Sequence, residues 1–164
     1  MPSFKSFELF AVHIQGGSLN LIVGVIYRPG SSDENSTFFD EFVDLIERVA
    51  IYAAPLIIVG DVSIHLHVLS ASSASNFIDI LAGAGLVRHV SGTTQRAGHT
   101  LDVIIIPCAL DVSVTVEPPI ISDHSLIVAE ITSRAAYHSL AAHVTKRQSA
   151  NFDVYGVYER SRGI

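Results

Sequence analysis

Short apolar runs recur along this chain, and the spacing inside each run predicts its secondary structure. Residues 7–14 and 19–27 are rich in Val, Ile, Leu and Phe, and the segment QGGS at 15–18 between them is a strong hairpin signal. The two runs are therefore predicted to be paired antiparallel strands. The segment PGSS at 29–32 ends the second strand and opens a polar loop.

From Thr37 the apolar spacing changes to three and four residues, which predicts an amphipathic helix ending near Tyr52. Polar residues at 35–37 can cap its first turn. A second helix is predicted over residues 73–84, with Gly85 as its C-terminal stop.

Strands are predicted before and after the second helix. Residues 56–59 form an apolar run without polar alternation, which is typical of a strand covered on both faces. Four more strands are predicted at 86–90, 100–106, 111–117 and 125–131. This order of elements indicates an α/β (α+β) fold over residues 1–132. Residues 133–164 are predicted to be a tail, with a short helix at 134–143 and a poorly ordered remainder.

Length and composition indicate one packed domain: the chain has 164 residues, of which 49% are hydrophobic. Its apolar runs fall far short of the roughly 20 residues that cross a bilayer, so no membrane partner is expected. Cys108 is the single cysteine and has no disulfide partner in the chain, which suits a reducing compartment. We therefore expect an intracellular location, nuclear or cytoplasmic.

The formal charge of −6 argues against nucleic-acid binding through clustered lysine and arginine alone. An acidic chain can still bind phosphates through a cation. Asp61, Asp102 and Asp123 each lie in a predicted strand or at its edge, and His124 follows the third. If these strands are neighbours, the carboxylates converge and can bind a hard cation such as Mg²⁺. The simpler interpretation is that each aspartate is a turn or cap residue.

Two histidines in the segment HLH, His65 and His67, raise the alternative of a zinc site, because alternate strand residues share a face. The chain has one cysteine and neither an HExxH motif nor paired CxxC motifs. Surface loop histidines are the simpler interpretation.

Four segments occur in a characteristic order: VIYRPG, PLIIVGDVSIHLH, TTQRAGHTLDVII and ISDHSLIV. Together they resemble the endonuclease/exonuclease/phosphatase superfamily, and within it the apurinic-endonuclease-like domain of LINE-type (non-LTR) retrotransposons. The resemblance covers about residues 7–131. It implies a four-layer α/β/β/α sandwich with mainly antiparallel strands, DNA as substrate, and phosphodiester hydrolysis dependent on Mg²⁺, with Mn²⁺ as an alternative.

The resemblance also implies a role for each matching residue. Tyr27 would contact the phosphate region, and Asp61 would orient and activate the attacking water. Asp102 would hold His124 by a hydrogen bond, and Asp123 would help to bind the metal. His124 would stabilise the phosphorane-like state.

The chain departs from the family pattern in two ways. Val62 and Ser63 replace Phe-Asn after Gly-Asp, so a shorter hydroxyl replaces a phosphate-binding amide. Loss of one transition-state donor typically costs about 10²- to 10³-fold in rate. In addition, only 26 residues precede Tyr27, whereas the family places an asparagine and a metal-binding glutamate on earlier strands. Residues 1–132 are therefore expected to be the C-terminal part of such a domain, from a truncated copy with an incomplete site.

Three functions stay open from the sequence: a metal-dependent endonuclease, a non-catalytic remnant that binds without turnover, and a phosphatase acting on inositol or lipid headgroups. The sequence pattern favours no oligomeric state.

Overall fold

The structure is a computed structural model that describes residues 4–16, 19–30, 35–52, 54–66, 72–132, 143–145 and 154–158. Within these ranges lie nine strands and two helices. In chain order they are β1 (Glu8–Gly16), β2 (Leu19–Tyr27), α1 (Asn35–Ala50), β3 (Leu56–Asp61), α2 (Ser72–Gly83), β4 (Leu86–Arg88), β5 (Asp102–Pro107), β6 (Asp111–Glu117), β7 (Leu126–Thr132), β8 (His143–Thr145) and β9 (Val154–Tyr158).

Seven strands form one sheet in the order β4-β5-β3-β2-β1-β9-β8, and β6 and β7 form a second, two-stranded sheet. The β2–β3 and β1–β9 pairs are parallel, and the other pairs are antiparallel. The fold is thus mixed α/β with a mainly antiparallel sheet, which confirms the predicted fold class.

Both helices pack on one face of the large sheet through a cluster of aromatic residues. The side chains of Phe38, Phe42 and Phe77 are fully buried, and the ring centroids of Phe42 and Phe77 lie 5.2 Å apart. They pack with Ile58 and Ile105 from the central strands. The three-and-four spacing of the apolar residues in α1 places Phe38 and Phe42 on one side of the helix. Burial of this apolar stripe stabilises the packing of the helix on the sheet.

The second sheet packs on the opposite face, with inward-pointing valines along β6 and buried Ile57, Ile104 and Ile106 beneath them. The clean alternation of β6 produces this arrangement, because every second side chain of a strand points to the same face. Three layers, α/β/β, are therefore described. A fourth layer is not seen among the described residues.

The second sheet covers only part of that face. On β1 and β2, the side chains of Phe10, Val25 and Tyr27 are exposed. Part of this face of the sheet is therefore in contact with water.

Element bounds follow the predictions closely, as with the second helix (73–84 predicted, Ser72–Gly83 observed). The helix predicted at 134–143 lies outside the described residues except for His143, which begins β8. In the segment expected to be a poorly ordered tail, β9 pairs with β1 and β8 pairs with β9. No described helix is long and apolar enough to cross a membrane.

Candidate active site

Three of the expected site residues form a row across neighbouring strands of the large sheet. Tyr27 at the end of β2 is the register partner of Asp61 at the end of β3, and Asp61 is the partner of Asp102 at the start of β5. Register partners point to the same face of a sheet. The row therefore lies on the face that β6 and β7 partly cover.

Pairing between two loops brings His124 to this row. Gln95 and His124 form an isolated antiparallel bridge, and the backbone N–H of Arg96 donates to the carbonyl of Asp123 at 2.8 Å. The Arg96 Nη2 also donates to the carbonyl of Ser122 at 3.2 Å. The loops at 92–99 and 118–125 are therefore joined by hydrogen bonds.

His124 and Asp102 form the hydrogen-bonded pair that the family resemblance implied. Nδ1 of His124 lies 2.9 Å from Oδ2 and 3.1 Å from Oδ1 of Asp102. This hydrogen bond raises the pKa of His124 above 6.5; partial burial opposes the shift, and the charges of Asp102, Asp61 and Asp123 add to it. The imidazole is thus held in its protonated form to a higher pH than a free histidine.

Asp61 is oriented by the residues that follow it. The backbone N–H of Ser63 donates to Oδ1 of Asp61 at 2.7 Å, and the Ser63 hydroxyl lies 3.1 Å from the same oxygen. Ser63 has a φ of 47°, in the left-handed region that asparagine adopts more readily than serine. Ser63 therefore contacts Asp61 through both its backbone N–H and its hydroxyl.

Gly60 is required by the close approach of two strands. Its φ is 130°, and a Cβ at this position would lie 1.9 Å from the carbonyl oxygen of Ile26. No other residue type fits there without moving a strand. Gly60 thereby sets the position of Asp61 relative to β2.

Arg28 is a site residue that the sequence reasoning missed. It is 2% exposed, and its Nη1 donates to the carbonyls of Val62 at 3.2 Å and Ser63 at 3.4 Å. Its guanidinium carbon lies 5.0 Å from the ring centroid of Phe38. Burial lowers the pKa of Arg28 and the charge of Asp61 opposes that shift. The arginine in VIYRPG was visible in the sequence, but its burial was not.

Thr94 is the second missed residue. It is fully buried, and its Oγ1 accepts the backbone N–H groups of Leu101 and Asp102, both at 3.1 Å. Its carbonyl accepts the N–H of Ser125 at 2.8 Å. One threonine thus joins the start of β5 to the segment that carries His124. A threonine in a polar loop gives no sequence signal for this role.

The predicted metal ligand and the histidine segment lie outside the central cluster. Asp123 is exposed and acts on His124 through its charge. The ring centroid of His65 lies 4.6 Å from that of His99, and His67 lies outside the described residues. The role of Asp123 and the zinc alternative stay predictions.

Within the described part of the chain, one group of three potential metal ligands exists: Asp61, Asp102 and His124, whose ligand atoms lie within 4.8 Å of one another. Two of the three offer carboxylate oxygens, which are the ligands that hard divalent cations prefer. The two carboxylates therefore fit a divalent cation.

No protein-family model matches the sequence, and no curated protein matches it. Solved structures do match the fold. The endonuclease domain of TRAS1, a telomere-specific non-LTR retrotransposon, is similar with a TM-score of 0.58 at 14% sequence identity, over 77% of this chain and 70% of that chain. This chain has the fold of that endonuclease domain.

Two proteins from Bacteroides thetaiotaomicron also match this fold. The mannosyl-6-phosphatase Bt3783 of strain VPI-5482 has a TM-score of 0.50 at 13% identity, over 70% of this chain and 52% of that chain. An endonuclease/exonuclease/phosphatase family protein has a TM-score of 0.48 at 13% identity, over 69% of this chain and 50% of that chain. The chain thus spans about half the length of these two proteins. The resemblance seen in the sequence is confirmed at the level of the fold.

Proposed function

We propose that this chain carries the phosphodiester-hydrolysing site of a divalent-metal-dependent endonuclease, with Mg²⁺ as the metal, Mn²⁺ as an alternative, and DNA as the substrate. The cluster of Asp61, Asp102 and His124 carries the proposal. Similarity to the TRAS1 endonuclease domain supports a nuclease rather than another hydrolase of this fold.

Each residue of the cluster has a chemical role suited to its position. His124 directs Nδ1 to Asp102, so Nε2 can donate a hydrogen bond to a non-bridging phosphate oxygen as negative charge develops there. The raised pKa of His124 maintains the protonated form that this donation requires. Asp61 orients the attacking water and accepts its proton.

Tyr27 lies at the end of the same row and contacts the phosphate region in this proposal. Carboxylates of the cluster, together with Asp123, would hold the cation. The bound cation would neutralise the phosphodiester and stabilise charge on the leaving oxygen.

Ser63 limits the proposed rate. Its hydroxyl lies against Asp61 rather than projecting as a separate phosphate donor. We therefore expect slow turnover, with a deficit of about 10²- to 10³-fold that corresponds to one missing transition-state donor.

A second candidate function is binding without turnover, by a fragment of such a domain. It is supported by the exposed Phe10, Val25 and Tyr27 on the face that the second sheet leaves uncovered. A phosphatase acting on inositol or lipid headgroups is the third candidate, and the likeness to a mannosyl-6-phosphatase gives it support at the level of the fold.

The test is nicking of supercoiled plasmid by the full chain in Mg²⁺, in Mn²⁺ and in EDTA. We expect slow, metal-dependent nicking that Asp61→Asn and His124→Ala abolish. Asp79→Asn, an exposed aspartate on α2, is the matched control and should retain activity. Release of phosphate from inositol phosphates without nicking would favour the phosphatase. A folded wild-type chain with neither activity would support the non-catalytic function.

A further inference from the structure

A buried arginine holds the short segment that contains Asp61. Arg28 is 2% exposed, although arginine is almost never fully buried unless it is paired. Its backbone N–H donates to the carbonyl of Asp61 at 2.9 Å, and its Nη1 donates to the carbonyls of Val62 at 3.2 Å and Ser63 at 3.4 Å. One residue thus binds three successive carbonyl groups. We call residues 61–63 the acid turn.

The acid turn has a backbone conformation that needs support. Ser63 has a φ of 47°, and residues other than glycine keep this left-handed conformation only where the surrounding contacts hold it. Within the turn, the N–H of Ser63 donates to Oδ1 of Asp61 at 2.7 Å. That hydrogen bond closes the turn on itself, whereas the hydrogen bonds from Arg28 attach the turn to the end of β2. The direction of the Asp61 carboxylate therefore depends on Arg28.

Arg28 is itself fixed by the core. Its guanidinium carbon lies 5.0 Å from the ring centroid of Phe38, which is fully buried on α1. A guanidinium over an aromatic face is attracted to the electrons of the ring. Two residues further on, Gly30 approaches the same turn, since a Cβ there would lie 3.4 Å from the Ser63 hydroxyl oxygen. The segment VIYRPG therefore connects the helix layer to the acid turn at two positions.

The contacts of Arg28 suit the chemistry of arginine. A guanidinium has five N–H donors in one plane and keeps its proton when it is buried, whereas a buried lysine readily loses its proton. The charge of Asp61 acts on the guanidinium and opposes the lowering of the Arg28 pKa by burial. Arg28 thus supplies both hydrogen-bond donors and a positive charge to the acid turn.

We propose, on the basis of the proposed nuclease function, that Arg28 is a positioning residue: it holds the acid turn so that the Asp61 carboxylate is directed at the attacking water. Arg28 is buried, so it acts through the turn and does not touch the substrate. A displacement of about 1 Å at a reacting group can cost about 10²-fold in rate. Loss of the Arg28 contacts should therefore lower kcat and leave KM for DNA unchanged.

The test uses the full chain with Arg28→Lys, which loses the planar set of donors. In Mg²⁺ we expect kcat for plasmid nicking to fall about 10- to 100-fold, with KM changed by less than about twofold. Amide hydrogen exchange is a second readout that needs no activity. The Ser63 N–H should exchange about 10-fold faster, because a hydrogen bond from a charged donor contributes about that factor. Arg28→Gln is neutral and costs less to bury, so it repeats the test if the lysine variant does not fold.

Two comparisons make the result specific. Arg88→Lys is the matched control, because Arg88 is also partly buried and donates through Nη1 to a backbone carbonyl, that of Val90. It should keep the wild-type kcat and the wild-type exchange rate of Ser63. In a Ser63→Asn background, Arg28→Lys should cost less in kcat than in wild type, since asparagine adopts the left-handed backbone more easily. Circular dichroism confirms that each variant is folded.

The proposal is overturned if folded Arg28→Lys or Arg28→Gln keeps the wild-type kcat, if the rate is lost through KM alone, or if the exchange of Ser63 does not change. Lower stability in urea with the wild-type kcat would assign Arg28 to the fold alone. A wild-type chain without nicking refutes the proposed function and, with it, the catalytic purpose of the acid turn. Faster exchange of Ser63 in the variants would in that case still support the role of Arg28 in holding the turn.

Discussion

Individual residues give the candidate site its chemistry through short, directed contacts. The most informative is the pair of His124 and Asp102, whose hydrogen bond engages the Nδ1 nitrogen of the imidazole. The same bond raises the pKa of His124. The orientation and the charge of the His124 imidazole thus depend on one hydrogen bond.

Replacing Asp102 with Asn should lower the pKa of His124 towards 6.5, because its hydrogen-bond partner no longer carries a negative charge. The folded-state pKa of His124 is raised in wild type, so the pair stabilises the fold fully below pH 6.5, and this contribution is lost as pH rises through the folded-state value. NMR titration of the His124 ring measures the shift. Asp79→Asn serves as control, and an unchanged His124 pKa in Asp102→Asn would contradict the geometry.

Replacing Ser63 with Asn should raise kcat/KM for plasmid nicking by up to about 10²-fold, because the amide adds a transition-state donor. The free energy of unfolding should not fall, since asparagine tolerates the left-handed backbone at this position. Urea unfolding measures the second expectation. Ser63→Ala is the control that removes the hydroxyl without adding a donor. Equal rates for Ser63→Asn and wild type would refute the prediction.

At the scale of elements, the site is the junction of three strand ends and two loops. Asp61 and Asp102 come from adjacent strands of the large sheet, and His124 comes from the segment that enters the second sheet. Thr94 connects these elements through its hydroxyl and carbonyl oxygens. The relative position of the loops therefore depends on this buried residue.

Replacing Thr94 with Val keeps the side-chain shape but removes the acceptor of two backbone N–H groups. We expect the free energy of unfolding to fall by about 1–3 kcal/mol, which is the typical cost of leaving buried donors unsatisfied. Urea unfolding measures this loss. Thr93→Val, at the exposed neighbouring position, is the matched control and should unfold as wild type does. Equal stability of the two variants would show that Thr94 does not hold the loops.

At the scale of the whole molecule, the large sheet is covered unevenly. Both helices shield one face, and β6 and β7 shield the other face over β3, β5 and the Leu21 and Val23 positions of β2. Phe10 and Val25, on β1 and β2, are exposed on the second face. An apolar sheet surface in water favours association between molecules.

Replacing Phe10 and Val25 with Thr should therefore increase solubility and reduce concentration-dependent association, with little change in strand propensity because threonine suits a strand. Sedimentation velocity over a range of concentrations measures the effect. Val87→Thr changes another exposed apolar strand residue and serves as control. A wild-type chain that is monomeric at every concentration would count against this prediction.

Much of the fold could be predicted because its signals are local. The hairpin of β1 and β2, the apolar stripe of α1 and the alternation of β6 are each encoded by spacing within one segment. The roles of Arg28 and Thr94 could not be predicted, since an arginine after a strand and a threonine in a loop are ordinary surface residues in most sequences. Only their burial reveals their contacts.

By itself, the sequence determined the elements, their order and the residue types of the site, because short-range spacing and backbone preference act within a few residues. The tertiary structure alone decided that Thr94 binds the backbone at the start of β5, and that Ser63 turns its hydroxyl to Asp61. It also decided which apolar residues stay in contact with water. These outcomes depend on strand register and on loop pairing between distant segments, which no local pattern specifies.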